Sequence, residues 1–133
     1  MFSNEEKAFL EQVADGTLPV SLFTHKAHIR LAWLLLCEHP PEEAFARAAA
    51  AIQALVRKNN INGKFHMTIT GAAVEIVWSF QKKSQTVSFD QFLEENPKLL
   101  THFKDLLFEH YSEKLLNSEK ATRCFLEPDL KDF

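Results

Sequence analysis

The chain has little glycine, little cysteine, no excess of positive charge and no long hydrophobic run. Only Gly16, Gly63 and Gly71 occur in 133 residues, where average usage gives about nine. Turn-dense β architectures need more, so the scarcity points to helices. Two cysteines, Cys37 and Cys124, are too few for a disulfide scaffold or a cysteine-rich zinc site, and neither has a local cue for a lowered pKa. Both read as buried, inert thiols. The formal net charge is −3 and neither half is basic, which argues against nucleic acid or a charged membrane surface as partner. The longest apolar run, from Leu31 to Cys37, is far below the ~18 residues that mark a membrane span. The opening MFSNEEKAF is acidic and lacks the shape of a signal peptide. Hydrophobic residues make up 46% and charged residues 25%, the composition of a folded domain. The expectation is one soluble, cytoplasmic domain over residues 1–133.

The periodicity is helical. Ser3 with Glu6 forms a capping-box pattern, and Gly16 is a natural stop. Thr24 is a good N-cap for a helix over about residues 24–38, apolar nearly all round except at His28 and Arg30. Such a helix belongs in the centre of a bundle. Pro40-Pro41-Glu42-Glu43 is a start signal. The stripe Phe45, Ala48, Ala49, Ile52, Leu55 and Val56 follows at helical spacing. A further helix carries Ile69, Ala73, Ile76, Val77 and Phe80 on one face and Gly71, Ala72, Glu75 and Ser79 beside it, with His66 near its start. Ser88 opens a short helix, Asn96-Pro97 a longer one through about Tyr111, and Ser118 caps a last one, after which the chain frays. The fold class is an all-α, single-domain bundle of five to seven helices. Trp33, Trp78 and the phenylalanines read as core.

Several polar residues interrupt this pattern. His25 and His28 are three apart, close enough on a helix to share one ligand or metal ion. Arg30 has apolar neighbours and needs a partner, for which Glu75 is the natural carboxylate. Lys64, His66, Thr68 and Thr70 place a cation, an imidazole and two hydroxyls at a loop-to-helix junction, where an anion is favoured. His110 sits on an apolar face, with Glu113 three residues on. His102, Asp105 and Glu109 form a solvated face. Each has a plainer reading. His25 and His28 could serve only helix-start hydrogen bonds, Arg30 and Glu75 a structural ion pair, and Thr68 and Thr70 a helix start. His66 could be a junction cap and His110 a satisfied core residue.

Two versions of a site follow. In one, His25, His28 and His66 ligate zinc or another divalent transition metal, and a bound water reacts. In the other, His28 or His66 acts as general acid or base. In both, Arg30 or Lys64 holds an anionic part of the substrate, with Thr68 and Thr70 beside it. The segment 64–70 is then expected over the N-terminal end of helix 24–38. The alternative is a non-enzymatic interaction module, such as a homodimer formed through an apolar helix face.

The run Phe23-Thr24-His25-x-x-His28-Ile29-Arg30-Leu31-Ala32-Trp33 and the run Gly63-Lys64-Phe65-His66-x-Thr68-Ile69-Thr70 resemble motifs of a group of small bacterial proteins of uncharacterised function. Tyr111-Ser112, Leu115, Ser118, Ala121, Arg123 and Glu127-Pro128-Asp129-Leu130 are similar too. The resemblance implies a bacterial cytoplasmic setting and assigns no catalytic residue, cofactor or substrate.

Overall fold

The computed structural model describes residues 2–61 and 65–133. Among them every regular element is helical, which bears out the all-α fold. Helix α1 (Asn4–Asp15) begins with the expected reciprocal cap between Ser3 and Glu6. It ends at Gly16, whose φ of +78° is the left-handed stop that glycine adopts without penalty. A 3₁₀ turn (Val20–Leu22) leads to α2 (His25–Glu38), capped by Thr24, whose hydroxyl accepts from the Ala27 N–H at 3.3 Å. The Pro40-Pro41 pair closes α2 and starts α3 (Pro41–Lys58). Helix α4 (Met67–Gln81) follows, then α5 (Phe89–Glu95) behind its Ser88 cap.

Helices α2, α3 and α4 pack on one another in pairs. Their contact surfaces form the core, from Ile29, Leu34 and Trp33 of α2 to Ala48 and Ile52 of α3 and Val74 and Val77 of α4. Helix α1 covers α3, and α5 lies on α2, where Trp33 meets Phe89 and Phe92 at 5.9 and 6.1 Å between ring centroids. Helix α4 is as central as α2, since it also carries the C-terminal elements.

The helix expected through Tyr111 is broken in two, α6 (Lys98–Thr101) and α7 (Phe103–His110), at His102 with φ −134° and ψ 33°. Two short helices, α8 (Glu113–Leu116) and α9 (Glu119–Arg123), each start at a serine cap, Ser112 and Ser118. The described helices therefore number nine, above the expected five to seven, because one break and the Ser112 start were not read.

The C-terminal segment does not fray. Leu126 N–H donates to the Thr68 hydroxyl (3.1 Å), and the Tyr111 hydroxyl donates to the Leu126 carbonyl (2.7 Å). The Asp129 carboxylate accepts from both the backbone N–H and the hydroxyl of Ser112 (2.8 and 2.6 Å). These bonds hold Asp129 below the usual carboxylate range. Phe125 lies across Gly71 of α4 and pairs with Phe45 of α3, 5.5 Å between centroids. No helix among the described residues is long and apolar enough to cross a membrane. Cys37 and Cys124 are both exposed, contrary to expectation. Cys37 is in the last turn of α2 and Cys124 follows the end of α9.

Candidate functional site

A cavity of about 650 Å³ lies where the first turns of α2 and α4 meet the α6–α7 corner. Its walls are mainly apolar: Ile29, Ile52, Phe65, Ile69, Leu100 and Phe103. His25 and His28 enter from α2, His66 and Thr70 from the start of α4, and Thr101, His102, Lys104 and Asp105 from the corner. Residues 65–70 and the N-terminal end of α2 thus face one space, although the chain separates them by about forty positions.

His66 is committed. Its Nδ1 accepts from the Ile69 N–H at 3.1 Å, so the ring proton is on Nε2, which donates to the Leu116 carbonyl at 2.7 Å. The ring is therefore neutral, caps α4, and ties it to the end of α8. His25 donates Nε2–H to the Leu99 carbonyl at 2.9 Å and packs on Phe103, 4.9 Å between centroids. In an unbroken helix that carbonyl would receive the Phe103 N–H. The histidine of α2 takes it instead, at the point where α6 ends.

His28 is different. Its ring packs at a tilt against Phe23, 4.3 Å between centroids, and among the described residues neither nitrogen has a hydrogen-bond partner. Burial, aided by nearby His25, pushes its pKa down to about 4, so the ring is neutral at physiological pH. Thr70, 9% exposed, donates its hydroxyl hydrogen to the His66 carbonyl at 2.8 Å. Its oxygen keeps lone pairs.

The expected zinc set does not assemble. Both His66 nitrogens are occupied within the chain, and among the described residues no three His, Cys, Asp or Glu side chains come together to hold a metal ion. Arg30 is not in this cavity. It lies on another face of α2, with its guanidinium carbon 4.7 Å from the centroid of the Phe9 ring, and lines a surface cleft together with Lys26, Glu5, Glu6 and Asp90. Two residues from His28 is about 200° around a helix, which separates them. Arg30 does not pair with Glu75 either. The half-buried Glu75 carboxyl is held above its usual range, by burial first and then by Glu127, the opposite of what a guanidinium beside it would do.

Thr68 is fully buried and off the cavity wall. Its hydroxyl stands 2.7 Å from the carbonyls of both Ala121 and Cys124 and accepts from Leu126 N–H, so it anchors the C-terminal segment. It is not placed to hold a substrate. Lys64 lies outside the described residues. His110 accepts no part in the cavity; its Nδ1 donates to the Lys131 carbonyl at 2.7 Å and its ring packs on Phe133.

His102, Asp105 and Glu109, expected as a solvated face, are exposed, and His102 and Asp105 also line the cavity. Thr101 and His102 hydrogen-bond to each other (2.7 Å), and the Thr101 hydroxyl also reaches the Pro97 carbonyl (3.1 Å). The signal available in the sequence was two adjacent residues of modest helix propensity, one a threonine able to bond back to the preceding turn.

Comparison of the chain with protein-family models, with curated proteins and with solved structures gives no match.

Proposed function

We propose that this protein binds a small molecule in the cavity between α2, α4 and the α6–α7 corner. The observation that supports the reading most is the convergence of His28 and Thr70, from two separate stretches of chain, on one mainly apolar space of about 650 Å³. That size lies within the usual range for ligand pockets, about 300–1,000 Å³. A few polar groups in an apolar wall are the usual means of orienting a guest.

Within this reading the residues divide their work. His25 and His66 shape the wall through their bonds to Leu99 and Leu116. His28 and Thr70 meet the guest. Binding rather than proton transfer is favoured, because a histidine pushed down to about 4 is a weak base near neutrality. Arg30 and Thr68 have no part in it.

Nile red, an uncharged fluorophore, tests the site when titrated into the full chain. One dye per chain should bind with enhanced emission. Ala73→Phe places a ring in the cavity and should remove that binding while far-UV circular dichroism stays helical. Ala73→Leu, a smaller filler, should weaken it. Equal dye binding by folded wild type and both variants would refute the proposal.

A further inference from the structure

We infer that the guest is an uncharged, largely apolar molecule bearing a hydrogen-bond-donating hydroxyl, of the phenol or alcohol class. The inference rests on the cavity being a ligand site, as proposed above. Its basis is which hydrogen-bonding atoms in the wall are already spent.

The hydrogens on the wall are mostly spent. His25 gives its Nε2–H to Leu99, His66 its Nε2–H to Leu116, and Thr70 its hydroxyl hydrogen to the His66 carbonyl. The Ile69 N–H at the start of α4 is spent on His66. Apart from the exposed Lys104 ammonium at the α6–α7 corner, what remains is acceptor-rich. Thr70 keeps oxygen lone pairs. The neutral ring of His28 offers one acceptor and one donor. A hydroxyl matches this set, since it donates to one nitrogen or oxygen and accepts the single N–H of His28.

Charge points the same way. The charged residues among the described cavity lining are Lys104 and Asp105, both exposed and of opposite sign. Among the described residues no buried charge of either sign lines the cavity, so a carboxylate or an ammonium group taken inside would lose its hydration with only the exposed Lys104 or Asp105 at the corner to replace it. Either loss is far greater than that for a hydroxyl whose hydrogen bonds are remade. Neither cation of α2 lines this cavity: Lys26 and Arg30 line another part of the surface, and Arg30 lies over Phe9.

Three probes of one shape separate the possibilities: 2-naphthol, 2-methoxynaphthalene and 2-naphthoate. Each is titrated into the full chain at neutral pH and followed by the NMR signals of the His28 ring and the Thr70 amide. Naphthol should bind at least tenfold more tightly than the other two and shift both signals. Naphthoate binding as tightly as naphthol would overturn the uncharged class. The methyl ether binding as tightly would overturn the need for a donor. If none of the three binds, or if Ala73→Phe leaves naphthol binding intact, the ligand-site reading itself falls, and the inference with it.

Discussion

Replacing Gly71 by alanine sets two effects of opposite sign against each other. On a solvent-facing helix, Gly→Ala is stabilising by about 0.5–1 kcal/mol, because glycine loses more chain entropy on folding. Here an alanine Cβ would come within 2.5 and 2.6 Å of two ring carbons of Phe125 and 3.2 Å of Phe45 Cζ. Ordinary contact is near 3.5–4.0 Å, so the Phe125 ring must move by about 1 Å or leave. Overpacking of this kind costs about 1–3 kcal/mol, and losing the Phe45–Phe125 pair adds about 0.5–1.5 kcal/mol. The ring is not free to yield, since Leu126 is bonded to Thr68 and Tyr111. The net expectation is a loss of about 1–3 kcal/mol, read by urea denaturation with circular dichroism. In a Phe125→Ala background the two closest contacts are gone and the Phe45 ring, 3.2 Å away, can ease into the vacated space, so the same Gly71→Ala change should be neutral or stabilising by up to about 1 kcal/mol. A reversal of sign between the two backgrounds is the signature. If Gly71→Ala stabilises the wild type, or acts identically in both backgrounds, the close approach of Phe125 to α4 is refuted.

Thr68→Val keeps the shape and removes the hydroxyl that meets Ala121, Cys124 and Leu126. It should destabilise the chain by about 1–3 kcal/mol and speed amide exchange at residues 124–126; unchanged exchange there would remove its anchoring role. His28 predicts a pH dependence of stability. Its folded pKa, about 4, lies below the ordinary 6.5, so the unfolded chain binds the extra proton first. The contribution of neutral His28 is present above about pH 6.5, falls as the pH drops through the window, and is fully lost below about pH 4. The span is about 3 kcal/mol. His28→Gln should flatten that part of the curve, and a curve of unchanged slope would show that His28 titrates normally.

What was legible in the sequence was local. Ser3, Thr24, Ser88 and Ser118 sit where a serine or threonine oxygen meets an N–H two or three residues on, and each is a cap in the structure. Gly16 and the Pro40-Pro41 pair mark ends by backbone geometry alone. The prominence of His25, His28, His66 and Thr70 was legible as polarity inside apolar segments, and all four line the cavity. What they bond to was not legible, because Leu99 and Leu116 are 74 and 50 residues away and offer only backbone carbonyls, which every residue has. The same holds for Thr68, whose partners are again carbonyls of distant residues. The expected Arg30–Glu75 pair was not legible as wrong, because the placement of Arg30 over Phe9 depends on how α1 packs beside α2. The ordered C-terminal segment escaped because its anchors, Ser112, Tyr111 and Thr68, lie in other elements.

The two imidazoles that donate to Leu99 and Leu116 make the cavity unevenly stiff. Rotating His25 breaks one hydrogen bond, and rotating His66 breaks two, at about 1 kcal/mol net for each. Ile52, Ile69, Leu100 and Leu107 hold no such bonds and can change rotamer against dispersion contacts alone. Bulkier guests should therefore be accommodated by yielding on the aliphatic side, toward α3 and α7, while the imidazole side keeps its shape. The polar end of a series of guests would then stay in register as their apolar bodies grow.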